Sequence, residues 1–94
     1  MKAELLLAQR HNLADGDFME MVIWRVPTPV RGSRHYYKYR FALVENDVCT
    51  LRYDNEAGKG DHRHADGREF AYEFVDMDKV IADFRAEVRT RRQR

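Results

Sequence analysis

The stretch His35-Tyr36-Tyr37-Lys38-Tyr39-Arg40-Phe41-Ala42-Leu43-Val44-Glu45-Asn46-Asp47-Val48-Cys49-Thr50-Leu51-Arg52-Tyr53 reads as two strands and the turn between them. From His35 to Glu45 the residues alternate, with Tyr37, Tyr39, Phe41 and Leu43 on one side and Tyr36, Lys38, Arg40, Ala42 and Val44 on the other. A period of two is the signature of a strand with one buried face. Asn46-Asp47 suits a tight turn, because Asn and Asp tolerate a left-handed backbone. The register of this hairpin has two readings. A two-residue turn sets Arg40 opposite Tyr53 and Phe41 opposite Arg52. A three-residue loop sets Phe41 beside Leu51 or Tyr53 and gathers Lys38, Arg40 and Arg52 on one face. Turn chemistry favours the first and the apolar pattern the second.

Working outward, residues 3–13 and Phe18–Val26 are two further apolar runs around Asp15-Gly16, a strong hairpin signal. A two-residue loop there predicts His11 opposite Glu20. It also puts Leu5, Leu7 and Leu13 on a face with Phe18, Trp24 and Val26. Pro27-Thr28-Pro29 ends the second run, since proline cannot donate to a ladder. Downstream, Arg68–Phe74 predicts a short fifth strand. Asp76 is placed to cap a helix, and Met77, Val80, Ile81, Phe84 and Val88 follow as one apolar stripe. Strands in series followed by one amphipathic helix predict an α+β fold. It is an antiparallel meander of four to five strands with the helix packed on one face.

Ninety-four residues with 44% hydrophobic content make a single domain, 1–94, with residues 89–94 expected to fray as a basic tail. The net charge of +1 says little about partners, but Arg85, Arg89, Arg91, Arg92 and Arg94 crowd the end. A single cysteine, Cys49, excludes an intramolecular disulfide, and its apolar neighbours predict a buried thiol suited to the cytosol. The apolar stretch in Met1–Ala8 is too short for a signal peptide or a membrane span, so a cytoplasmic location is expected.

The chemistry concentrates in Arg52-Tyr53-Asp54-Asn55-Glu56-Ala57-Gly58-Lys59-Gly60-Asp61-His62-Arg63-His64. On an extended backbone His62 and His64 point the same way. Such a pair can act as base and acid near neutral pH. It can also bind a metal with a third ligand, Asp54 or Asp61. The plain alternative is a solvated polar loop. Asp54 can orient an imidazole, whereas Asn55 is better explained as a turn former. Gly58-Lys59-Gly60 lacks the spacing of a P-loop, so no nucleoside-triphosphate site is implied. Lys38, Arg40, Lys59 and Arg63 form a basic set able to hold a phosphodiester, and Tyr36 and Tyr37 could stack on bases.

This segment, with Met1–Leu6, Glu20–Pro27 and Lys38–Val44, resembles the TumE family of small bacterial toxins from toxin–antitoxin modules. Tyr53, Asp54, Asn55, Gly58, His62 and His64 match the family pattern. The resemblance implies a cognate antitoxin with a helix-turn-helix domain. By analogy with toxins that cut RNA, the expected activity is a metal-independent endoribonuclease needing no cofactor. The expected catalytic set is His62, His64, Asp54, Tyr53 and Arg52, with Lys38, Arg40, Lys59 and Arg63 on RNA. Two alternatives stand beside it: a non-catalytic module that binds nucleic acid or protein through the loop and the Arg-rich end, and a metal-dependent hydrolase built on His62-Arg63-His64. An exposed edge strand also suggests a homodimer.

Overall fold

Among the described residues, four non-glycine residues take a left-handed backbone, and all four sit in hairpin turns: Asp15, Asn46, Asp47 and Asp66. A computed structural model of the chain describes residues 2–93. In it the turns join strands β1 (Glu4–Asn12), β2 (Phe18–Arg25), β3 (Tyr37–Glu45), β4 (Val48–Glu56), β5 (Gly60–Ala65) and β6 (Arg68–Ala71). Each strand is antiparallel to the next, in the order β1-β2-β3-β4-β5-β6. Helix α1 (Met77–Arg92) follows. The α+β meander is as expected, but it has six strands rather than four to five.

The added strand is β5, the His-containing segment read above as a loop. Its polar composition concealed it. Asp61, His62, Arg63 and His64 stand opposite Asn55, Asp54, Tyr53 and Arg52 on β4, so polar side chains find polar neighbours across the ladder. The turns at either end are explicit, through Gly58 and Gly60 on one side and Asp66-Gly67 on the other, all with positive φ. The following strand, β6, stops at Ala71 rather than Phe74.

Both register signals of the central hairpin are satisfied, by a bulge. Asn46-Asp47 forms the two-residue turn with Glu45 opposite Val48. One extra residue, Thr50, then shifts the pairing to Leu43 opposite Leu51 and Phe41 opposite Tyr53. The Thr50 hydroxyl donates to Glu45 Oε1 at 2.7 Å. Cys49, next to the bulge, is exposed, which corrects the expectation of a buried thiol.

The first hairpin also departs from expectation. A 3-10 turn over Ala14–Gly16 takes one more residue than the predicted loop, and Leu13 N donates to Asp17 O at 2.7 Å. The register moves by one: Arg10 faces Glu20, and His11 faces Met19. A second irregularity between Leu5 and Leu7 leaves Leu5 opposite Trp24 and Leu7 opposite Ile23, on different faces.

One face of the sheet is apolar. Met21, Ile23, Tyr39, Phe41, Leu43, Leu51 and Tyr53 are buried there against Val80, Phe84 and Val88 of α1. The Phe84 ring meets Phe41 at 5.5 Å and Tyr53 edge-on at 5.7 Å between centroids. Aromatic pairs in such arrangements are worth about 0.5–1.5 kcal/mol beyond the area they bury. Asp76 Oδ1 accepts from Lys79 N at 2.7 Å and caps the helix as expected. At the other end, Arg91 pairs with Asp66 at 2.9 Å. Arg92 bridges Asp17 at 2.6 Å and Glu45 at 2.9 Å. The basic end, expected to fray, is helical through Arg92 and clasps three hairpin ends of the sheet. Arg94 lies outside the described residues. Among the described residues no helix is long and apolar enough to cross a membrane.

Candidate functional site

The pleat divides the Arg52–His64 segment between two faces. Tyr53, Asn55, Asp61 and Arg63 point to the helix side, while Arg52, Asp54, His62 and His64 point to the open side. The open side is the candidate site. Its frame is two cross-strand rows. One runs Val22, Arg40, Asp54, His62 over β2 to β5; the other runs Ala42, Arg52, His64, Glu69 over β3 to β6.

The His62 and His64 rings stand 6.2 Å apart. Both nitrogens of His62 face acceptors: Nδ1 lies 2.9 Å from Gly60 O and Nε2 lies 3.2 Å from Glu69 Oε1. His64 Nε2 lies 3.8 Å from Asp54 Oδ1. That oxygen is buried and makes no hydrogen bond. Arg52 Nε is 3.0 Å from Asp54 Oδ2, and its Nη2 is 3.9 Å from Glu56 Oε1. Burial raises the Asp54 carboxyl above its ordinary range, and the nearby Arg52 charge works against that shift.

Asp54, Glu56 and His64 bring donor atoms within 4.8 Å of one another, a grouping that suits a divalent cation. Arg52 already supplies positive charge between the two carboxylates. Asp61, the other metal ligand considered from sequence, points to the opposite face. There it accepts from Ser33 Oγ at 2.7 Å, His35 Nε2 at 2.8 Å and Tyr39 Oη at 2.7 Å.

The expected site residues are therefore not all together. Tyr53 donates its hydroxyl to Glu87 Oε1 at 2.7 Å, beneath the helix. Arg63 pairs with the same carboxylate through Nε at 2.7 Å and through Nη2. Neither reaches the histidines. Lys59 stays at the open rim, 3.9 Å from Glu69. Tyr37 lies near Phe74 on the helix side, 6.3 Å between centroids.

Sequence reasoning missed two features. The first is a buried network of Ser33, His35, Tyr39, Asn55 and Asp61, next to a cavity of about 580 Å³. His35 is stacked on Phe74 at 3.6 Å, and its Nδ1 accepts from Tyr37 N at 3.2 Å. With both ring nitrogens engaged, His35 ties the Pro27–Tyr36 connection to the sheet. Nothing in the linear spacing announces a contact across 26 residues. The second is Trp24, which lies 37% exposed on the open face. It borders a cavity of about 400 Å³ that Lys38, Arg40, Arg52 and Asp54 also line.

The family model described as Toxin TumE matches residues 2–92. The chain belongs to the TumE toxin family. No curated protein and no solved structure matches it. Membership in TumE suggests a toxin, and it implies an antitoxin as partner.

Proposed function

We propose that this TumE-family chain acts by cutting RNA without a metal, using His62 and His64 as an acid–base pair. The observation that supports this is their placement side by side on an uncovered sheet face, beside Asp54 and three cations. A ring separation of 6.2 Å leaves room for one phosphodiester between the rings, each ring nitrogen reaching about 3 Å to an oxygen.

In the proposed step His64 removes the proton of a ribose 2′-hydroxyl. The 2′-oxygen attacks the adjacent phosphorus, and the bond to the 5′-oxygen breaks. His62, which holds acceptors at both nitrogens, gives its proton to that leaving oxygen. The products are a 2′,3′-cyclic phosphate and a 5′-hydroxyl, and no water or cofactor is consumed. Asp54 stabilises His64 once it is protonated. Arg52, the cation nearest Asp54, meets the charge that builds on the nonbridging oxygens.

The test incubates purified protein with single-stranded RNA in EDTA and reads the new termini. Cleavage to 2′,3′-cyclic ends that is lost in His62→Ala and His64→Ala supports the reading. Intact RNA at concentrations that arrest growth sinks it. Cleavage that EDTA abolishes favours instead a metal at Asp54, Glu56 and His64, whose donors are close enough to share one.

An RNA-cutting toxin acts in the cytoplasm, and its antitoxin is expected to carry a helix-turn-helix domain. β1 is a nine-residue strand at the sheet edge, which favours a symmetric dimer by strand pairing. Sedimentation of the purified chain tests that.

A further inference from the structure

We infer that Trp24, Lys38 and Arg40 form a subsite for one unpaired nucleotide of a single-stranded RNA, next to the histidine pair. The inference rests on the reading of the open face as an RNA-cutting site and names the form of its substrate.

The subsite follows from the register. Trp24 is directly opposite Lys38, and Val22 is opposite Arg40, two residues along and in the row of His62. Arg40 is opposite Asp54, and Asp54 is opposite His62. Neighbouring strands lie about 4.8 Å apart, so Arg40 stands about 10 Å from His62 and Trp24 about 15 Å away. A short extended strand of RNA spans that distance.

Three features suit this place to a base and its phosphate. The Trp24 indole is 37% exposed at the edge of a cavity of about 400 Å³. The large aromatics of the helix side, Tyr39 and Phe41, are by contrast fully enclosed. Lys38 and Arg40 form no salt bridge and no side-chain hydrogen bond among the described residues, whereas Arg52, Arg63, Arg91 and Arg92 are all paired. Cations without a salt bridge, beside an open indole, match a phosphate and a base in sequence. Of the acidic groups nearest the cavity, Asp54 and Glu56 are met by Arg52, and the Arg40 charge acts on Asp54 without a salt bridge to it.

An aromatic face can take a base only when that base has left its own stack. An A-form duplex presents phosphates and groove edges, and no free base face. The subsite therefore selects unpaired RNA. Base stacking tolerates any base, so it adds affinity without a strict sequence.

Trp24 is the only tryptophan in the chain, so intrinsic fluorescence reports this position directly. The probe is a short 2′-O-methyl oligonucleotide of alternating adenine and cytosine, which has no free 2′-hydroxyl to attack. It is added single-stranded or annealed to its complement. The single strand is expected to quench Trp24, and the duplex is not. Trp24→Ala should weaken single-strand binding about tenfold by anisotropy, while Trp24→Phe keeps most of it. Lys38→Ala should lower the salt slope of binding by about one, with an unchanged thermal melt.

Binding without quenching overturns the subsite, as does equal affinity of the Trp24→Ala variant. So does a Trp24→Ala variant that binds the oligonucleotide normally but escapes its antitoxin, which would make this face a protein-docking surface. Quenching without RNA cleavage would keep the subsite and remove the nuclease. Cleavage without quenching would do the reverse.

Discussion

His64 Nε2 faces Asp54 Oδ1 across 3.8 Å, and that oxygen is buried with no hydrogen bond of its own. A proton arriving on His64 draws the two together. Asp54→Asn is thus expected to keep the fold and lower RNA cleavage about 10–100-fold, a part of the full acid–base contribution. Stability should respond to pH in a defined direction. The Asp54 carboxyl titrates above its ordinary 3.8 because burial disfavours its charge. Its penalty on folding is therefore present above the folded value and disappears as pH falls below the unfolded one. In urea titrations, wild type should gain on Asp54→Asn as pH falls from 7 towards 4. A constant difference would show that burial does not penalise Asp54.

The acid and base roles can be separated chemically. A substrate whose leaving 5′-oxygen is replaced by sulfur needs no proton to depart. It should restore most cleavage to His62→Ala and little to His64→Ala. With ordinary RNA each variant should lose about 10²–10⁴-fold. Equal rescue of both would refute the assignment of roles.

Gly60 and Gly67 make a matched pair. Both take positive φ, +75° and +80°. A Cβ at Gly60 would lie 2.6 Å from the Gly32 carbonyl oxygen, whereas one at Gly67 would meet nothing within 4 Å. Gly67→Ala should cost only the left-handed backbone, about 1–2 kcal/mol. Gly60→Ala should cost more, because the Pro27–Tyr36 connection must move as well. Urea midpoints of the two variants compare them directly, and equal midpoints would contradict the close approach.

Tyr53→Phe should cost about 1 kcal/mol, the net value of one hydrogen bond, and leave RNA cleavage intact. The hydroxyl it removes serves Glu87. Burial alone would raise the Glu87 carboxyl, but hydrogen bonds from Arg63 and Tyr53 outweigh it and hold the group below its ordinary 4.5. Its contribution is then full above 4.5 and is lost as pH falls through the lower folded value. Glu87→Gln should flatten that acid limb in a stability–pH curve. Loss of toxicity in Tyr53→Phe would place its hydroxyl in the chemistry after all.

The strands with alternating apolar residues, such as Tyr39, Phe41 and Leu43, were legible because burial on one face writes a period of two. The helix was legible through Asp76 and the stripe ending at Val88. β5 was not, since its period is polar against polar and its partners are known only once β4 is placed. The same limit applies to the site. Adjacent spacing put His62 and His64 on one side correctly. It could not tell that Arg63 between them, and Tyr53 opposite Arg63 on β4, serve the helix instead. His35 and Asp61 meet only through tertiary folding, and Trp24 was grouped on one face with Leu5, Leu7 and Leu13 because the predicted register was one residue off.

The division of Arg52–His64 between two faces has a genetic consequence. Changes at 53, 55, 61 and 63 strike packing, so cells should carry less of the protein. Changes at 52, 54, 62 and 64 should leave normal amounts of a harmless one. A saturation library scored for both abundance and killing would oscillate every second codon along this stretch. Suppressors that restore folding elsewhere would rescue one set and never the other.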